Sequence, residues 1–213
     1  MTQIDTHALA DQLVAARPAL DAQQQRIAIT LYRLLAEGQP VSVEQLAERA
    51  GTPIGDVERL LDDEPGIYRD EHARVIAFWG MALDEMPHRM TVNARELGAW
   101  CAWDTLFLPE LLGETATVAS TCPTTGEPIE LVVTPTGVRN VSPAGAVLSF
   151  LRREQPFDAD LIKTFCHFVH FFASPEAASD WTTQHPGTFV LSIDEGTEIA
   201  RRANHASFES VLS

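Results

Sequence analysis

Between residues 115 and 151 the chain alternates short strand-like runs with turn-forming residues, and this restricts the fold more than any other feature. Each run holds four to six residues rich in Val, Thr, Ile and Leu, with Gly and Pro between runs. Connections this short join antiparallel neighbours, because a parallel crossover needs a dozen or more residues. The pattern therefore predicts an antiparallel meander. Its strands are Thr117–Thr121, Ile129–Thr134, Val138–Val141 and Ala146–Leu151.

The first third of the chain has a different pattern. Apolar residues at helical spacing predict a helix over about Leu20–Glu37 and a helix-turn-helix over Val41–Asp63, with Gly51 in the turn. The apolar segments Ile67–Arg69 and Arg74–Trp79 then predict a hairpin. Three helices followed by a hairpin are typical of a winged helix.

Helical spacing returns on both sides of the meander. Asn93 is predicted to cap a helix that carries Trp100 and is limited by Pro109. After the meander, a helix is predicted over Pro175–Gln184, a strand over Thr188–Ile193, and a final helix over Asp194–Phe208 with Asp194 near its cap.

These elements together predict an α+β protein. A winged-helix-like three-helix module packs on a C-terminal domain of antiparallel β-sheet with flanking helices. The boundary is placed near Met86-Pro87, which gives domains 1–86 and 87–213.

Charge argues against several classes of partner. The net charge is −15, and residues 40–70, which would read DNA in a winged helix, hold eight acidic and three basic residues. Nucleic acids and anionic membranes attract basic surfaces, so neither is an expected partner. No stretch approaches the roughly 20 apolar residues of a membrane span, and no secretory signal is evident. We expect a cytoplasmic protein whose thiols stay reduced.

The segment from Trp100 to Pro109 is the candidate reactive segment. It places Cys101 three residues before Asp104 among tryptophans and aliphatic residues, and residues i and i+3 of a helical turn share a face. A cysteine in such surroundings is often an inert core residue. An aspartate there is harder to explain, because carboxylates are rarely buried without a partner. It either caps a local structure or serves chemistry.

A second thiol, Cys166, lies in an aromatic segment with His167 and His170. Cys-His-x-x-His lacks the second ligand pair of a zinc site, so His170 is interpreted as a half-buried core residue. The third thiol, Cys122, follows the first strand of the meander. Three cysteines at wide spacing fit neither a disulfide framework nor a CxxC site.

Both thiol segments resemble the active-site motifs of the alkylmercury lyases, also called organomercurial lyases. The matching stretches are Trp100-Cys101-Ala102-x-Asp104-Thr105-Leu106 with Pro109, Cys122-Pro123-x-Thr125-Gly126-x-Pro128, Pro143-Ala144-Gly145, and Phe165-Cys166 with Val169-His170-Phe171-Phe172-Ala173-Ser174. The N-terminal module is also similar to that family, so the resemblance spans nearly the whole chain. His167 departs from it, because some members carry a further cysteine there.

The resemblance implies protonolysis of the carbon–mercury bond of alkyl and aryl mercury compounds. Mercury is soft and prefers thiolates, and family knowledge assigns mercury binding to the positions of Cys101 and Cys166. Asp104, also beside the metal, would accept a thiol proton and deliver it to carbon. Trp100, Trp103 and Phe165 would exclude water. Cys122 is implied to be buried and structural.

The resemblance also implies the other participants. Mercury is substrate and product, small-molecule thiols are co-substrates, and no cofactor is tightly bound. Mercuric reductase is the expected acceptor of Hg(II), and the protein is expected to be a monomer or weak dimer. Two alternatives stay open: a metal-responsive winged-helix regulator, which the acidic surface of residues 40–70 disfavours, and a thiol-dependent redox enzyme.

Overall fold

The computed structural model describes residues 4–152, 155–158 and 160–212. Its first part is helical: α1 spans Thr6–Ala16, α2 Ala22–Leu35, α3 Val43–Ala50 and α4 Ile54–Asp63. Helix α2 begins with a capping box on Asp21, and α3 is capped by the Ser42 side chain. The α2, α3 and α4 helices confirm the predicted helices, whereas α1 was not predicted.

Eleven strands follow within the described residues. They are β1 Ile67–Arg69, β2 Val75–Phe78, β3 Met81–Ala82, β4 His88–Val92, β5 Arg95–Ala99, β6 Ala116–Thr121, β7 Pro128–Thr134, β8 Gly137–Ser142, β9 Val147–Leu151, β10 Phe171–Phe172 and β11 Thr188–Ser192. The hairpin β1–β2 confirms one prediction. Strands β6, β7 and β8 form the predicted meander, but the predicted fourth strand, β9, pairs instead with β10 and β11 in a separate sheet.

The strands form two antiparallel sheets. Eight run in the order β1-β2-β3-β5-β4-β6-β7-β8, and a smaller sheet has the order β10-β9-β11. The β1–β2 hairpin of the N-terminal module is therefore hydrogen-bonded, through β3, to the sheet that contains the meander. The proposed division at residue 86 stays a prediction.

The described residues of the second part of the chain form four α-helices: α5 Asp104–Leu112, α6 Leu161–Thr164, α7 Pro175–Gln184 and α8 Ile193–Ser207. Helices α7 and α8 confirm predictions. The mixture of helices and antiparallel sheet is the predicted α+β class. Among the described residues, no helix combines the length and apolar character needed to span a bilayer.

The predicted helix cap at Asn93 is wrong. Asn93 and Ala94 have positive φ angles of 49° and 62° and form the turn between β4 and β5. Asparagine tolerates the left-handed region that such a two-residue hairpin turn requires, so the same residue type suits a turn as well as a cap. The helix begins later, at Asp104, and Cys101 lies in the preceding turn.

One other helix end differs from expectation. Pro109 lies inside α5, which continues to Leu112 before Gly113 ends it in the left-handed conformation. At α8 the prediction is confirmed, because Asp194 lies in the first turn, two residues after the cap Ser192. The Ser192 hydroxyl accepts from the Glu195 N–H, and the Glu195 side chain accepts from the Ser192 N–H.

Helices α5 and α8 pack together beneath the large sheet and are joined by buried polar contacts. Asn204 Nδ2 donates to the Phe107 carbonyl at 3.0 Å and to Glu110 Oε2 at 2.8 Å. The Trp103 indole N–H donates to the Gly196 carbonyl at 3.1 Å. The last helix thereby holds the start of α5 in place.

Replacing Asn204 with alanine should lower the free energy of unfolding by about 1–3 kcal/mol, because the buried Phe107 carbonyl and the half-buried Glu110 carboxylate lose their donor. Urea denaturation measures this change. Asn140→Ala, at an exposed position of β8, is the matched control and should leave stability within about 0.5 kcal/mol. Equal stabilities of the two variants would contradict the assigned role of Asn204.

Candidate functional site

The structure brings Cys101, Asp104 and Cys166 together. Cys101 lies in the turn after β5, Asp104 opens α5, and Cys166 begins a 3₁₀ turn over Cys166–Phe168. The two sulfurs and a carboxylate oxygen of Asp104 all lie within 4.8 Å of one another. Among the described residues, this is the single cluster of three or more His, Cys, Asp or Glu side chains close enough to hold one metal ion. All three are buried, with exposed fractions of 0%, 5% and 2%.

Backbone hydrogen bonds hold these residues in place. The Cys101 N–H donates to Asp104 Oδ2 at 2.7 Å, which fixes the carboxylate against the turn. The Ala102 N–H donates to the Val169 carbonyl at 3.0 Å, and this bond ties the Cys101 turn to the segment that carries Cys166. Cys101 and Cys166 are 65 positions apart in the sequence. This hydrogen bond therefore joins two distant segments beside the site.

Gly80 supports the site and was not singled out from the sequence. Its φ angle is +96°, and a Cβ built there would lie 2.6 Å from Asp104 Oδ1. Its carbonyl accepts from the Trp100 N–H at 3.0 Å. A lone glycine after the apolar β2 run is a recognised sign of close approach, but the sequence does not say which side chain approaches.

Burial controls the charge of Asp104. Loss of solvent raises its pKa to about 6, and the hydrogen bonds from the Cys101 thiol and N–H oppose this rise, as does the positive charge of Arg17. The carboxyl group can therefore gain or lose a proton near neutral pH.

The two site thiols are coupled by a hydrogen bond. Burial raises the pKa of Cys101 well above its usual value, and the bond to Cys166 and the Asp104 charge raise it further. For Cys166 the bond from Cys101 lowers the pKa, but burial and the Asp104 charge outweigh it. Cys101 is therefore the thiol that keeps its proton, and Cys166 is the easier one to ionise.

Arg17 supplies a positive charge near the cluster. It follows α1, and its guanidinium carbon lies 4.8 Å from the Trp79 ring centroid and 5.3 Å from that of Phe107. It lines a cavity together with Asp104 and Cys166. Its charge lowers the pKa of both groups. No motif in the sequence pointed to it.

Two cavities meet at Cys166. The inner cavity is about 10 Å³, roughly one water, and Trp100, Trp103 and Phe165 are among its walls, as the sequence suggested. Cys166 also lines an open cavity of about 370 Å³, which we call the mouth cavity. It is lined by Met86, Pro87, Trp100, Ile162, Lys163, Cys166, His167 and His170.

The other residues considered from the sequence lie outside the cluster. Cys122 is 1% exposed. Burial alone would raise the pKa of its thiol, but hydrogen bonds from Thr125 and the Ala173 backbone have the larger effect and lower that pKa. His170 is half-buried, and its Nε2–H donates to the His167 carbonyl at 2.8 Å. His170 thus has a local partner, as interpreted from the sequence.

This arrangement suits soft-metal chemistry with proton transfer. Two sulfurs can bind one soft metal ion from two sides. A carboxyl group with a pKa of about 6 can receive the proton that a thiol releases when metal binds and return it later. The closed apolar surroundings strengthen both effects, because little water competes.

Known proteins resemble this chain over most of its length. Family models described as "Alkylmercury lyase" and "Helix-turn-helix domain of alkylmercury lyase" match residues 81–204 and 5–79. An alkylmercury lyase of Bacillus cereus is 42% identical over 172 residues, covering 80% of this chain and 77% of that protein. One of Pseudomonas putida is 39% identical over 181 residues, covering 85% and 84%.

A crystal structure of the mercury-bound form of MerB2 has the same fold. It is 22% identical in sequence, with a TM-score of 0.75, and the match covers 99% of this chain and 100% of that one.

Replacing Arg17 with methionine should raise the apparent pKa of Cys166, because the lost positive charge no longer favours the thiolate. Alkylation of Cys166 by iodoacetamide across a pH series, read by mass spectrometry, measures this shift. Arg17→Lys keeps the charge and should stay near the unmodified protein. Arg33→Met, at an exposed position of α2, controls for net charge. An unchanged pKa in Arg17→Met would show that Arg17 only packs on the rings.

Proposed function

The chain belongs to the alkylmercury lyase family, and we propose that Cys101 and Cys166 hold the mercury atom while Asp104 moves the proton. The activity is cleavage of the carbon–mercury bond of organomercury compounds, which yields a hydrocarbon and Hg(II). The observation that supports these roles is the burial of two sulfurs and one carboxyl group within 4.8 Å of one another.

Binding of the organomercurial uses both sulfurs. A first thiolate displaces the small thiol that carries R–Hg, forming a sulfur–mercury bond as the carrier's sulfur–mercury bond breaks. Cys101 then adds to the metal, and its proton passes to Asp104, which already contacts both the N–H and the thiol of Cys101. Two sulfur donors place negative charge on the mercury-bound carbon, which becomes basic.

Cleavage then needs only a proton. Asp104 delivers the proton taken from Cys101 to the carbon, the carbon–mercury bond breaks, and the hydrocarbon leaves with that electron pair. Hg(II) stays bound to two thiolates, and the oxidation state of mercury does not change. A pKa of about 6 allows Asp104 to act as base and then as acid.

The same proposal covers the co-reactants and the location. Small-molecule thiols deliver the substrate and help to release Hg(II), and mercuric reductase is the proposed acceptor of the metal. The described cysteines are unpaired, and the two site thiols must remain so to bind mercury, which suits the reducing cytoplasm.

Cys101→Ala and Cys166→Ala should each lose nearly all turnover of methylmercury, because one sulfur cannot activate the carbon. Asp104→Asn should bind Hg(II) through sulfur yet turn over about 10²–10⁴-fold more slowly, since the proton carrier is lost. Headspace detection of methane in excess thiol measures turnover, and thermal unfolding checks the fold. A Cys166→Ala enzyme with the original rate would disprove the two-thiolate step.

Ionisation of the Cys166 thiol makes kcat/KM fall with falling pH, and below about pH 6 protonation of Asp104 should add a further fall of roughly tenfold per unit. The direction follows from the role of Asp104 in the free enzyme, where the carboxylate must be deprotonated to accept the Cys101 proton. Benzene release from phenylmercury, followed by absorbance, measures the profile. The residual activity of Asp104→Asn should not show the fall in kcat/KM that protonation of Asp104 causes below about pH 6. The same fall in that variant would mean that another group is responsible for it.

A further inference from the structure

The mouth cavity is the approach to the reactive sulfurs. Cys101 is 0% exposed, and the inner cavity of about 10 Å³ has no room for an organomercurial. Cys166 lines both the inner cavity and the mouth cavity of about 370 Å³. A substrate arriving from solvent therefore meets Cys166 first, and its carrier thiol must lie in the mouth cavity when mercury is transferred.

Lys163 at this cavity is the only lysine in the 213-residue sequence. It belongs to α6 and precedes Cys166 by three residues, and both residues line the mouth cavity. The whole protein has a net charge of −15, which repels anions at long range. A cation here offsets that repulsion at the point where a ligand enters.

The ammonium group is available to a ligand. Its present ion pair, between Nζ and Asp160 Oδ1 at 3.4 Å, joins side chains that are 83% and 67% exposed. Ion pairs between side chains this exposed contribute little to stability. An incoming carboxylate can therefore share the Lys163 ammonium with Asp160 or replace Asp160 as its partner. Trp100 and Ile162 line the same cavity with apolar surface, against which the short carbon chain of a thiol carrier can pack.

We propose that the mouth cavity binds the carrier of the organomercurial as a small thiol that bears a carboxylate, with the Lys163 ammonium pairing with that carboxylate and Cys166 receiving the mercury. This inference rests on the proposed function and adds the charge of the carrier and the order of capture. Lys163 is a specificity residue here, and it takes no part in breaking the carbon–mercury bond.

The transfer step is a simple exchange at mercury. The Cys166 sulfur donates an electron pair to the metal, and the sulfur–mercury bond of the carrier breaks. The carrier leaves as a thiolate with the bonding pair and takes a proton from water. Nothing is oxidised or reduced. Cys101 and Asp104 act afterwards, so carrier recognition is separate from cleavage.

The test compares carriers that differ only in charge. Methylmercury is complexed one-to-one with 3-mercaptopropionate, 2-mercaptoethanol or cysteamine, and kcat/KM is measured from methane release. The preference for the anionic over the cationic carrier should fall about two- to fivefold in Lys163→Gln, the range of an exposed ion pair. Differences in leaving ability among the thiols cancel, because each variant is compared on the same three carriers.

Two further variants give the proposal its controls. Asp160→Asn frees Lys163 from its pair and should increase the anion preference. Arg139→Gln removes the same charge from an exposed position of β8 and should leave the preference unchanged. If Lys163→Gln keeps the original preference while releasing methane, the carrier site is wrong and the lyase chemistry stands. If no carrier yields methane in the unmodified enzyme, the proposed function itself fails.

Discussion

The burial of Asp104 is the constraint on which the site depends. A carboxyl group in a closed apolar cavity is costly unless donors and positive charge accompany it. The Cys101 N–H and thiol supply the donors, and Arg17 supplies the charge. These partners do not fully offset burial, so the pKa stays at about 6. That incomplete compensation makes the group useful for moving a proton, because a fully stabilised carboxylate would not give up its charge near neutral pH.

The residues that surround Asp104 come from different elements of the fold. The Cys101 turn leaves β5, Cys166 follows α6, and Arg17 follows α1. Helix α5 is fixed by α8 through Asn204, and the Cys101 turn is fixed to the Cys166 segment through the Ala102 to Val169 hydrogen bond. Little of this is local in sequence, so the site exists only once the chain is fully packed.

Local sequence patterns predicted the elements whose formation depends on neighbouring residues, which are most of the helices, strands and turns. Helical periodicity and the turn residues around the meander indicated most helices and strands correctly. Asn93 was misassigned because asparagine favours caps and left-handed turns alike, and only strand pairing decides between them. The two-residue strands β3 and β10 carry too little periodicity to detect. Gly80 and Arg17 contact the site only across long sequence distances, so no spacing pointed to either of them.

The junction between β2 and β3 has a consequence for how such a protein can evolve. Trp79 and Gly80 are the whole connection there, the carbonyl of Trp79 accepts from Tyr32 at 3.0 Å, and Gly80 lies against Asp104. The linker is itself part of the wall of the inner cavity. A residue inserted or exchanged at this joint would change the surroundings of Asp104 as well as the pairing of β2 with β3. Variation in the linker is therefore limited by the chemistry of the site and not only by the stability of the two halves.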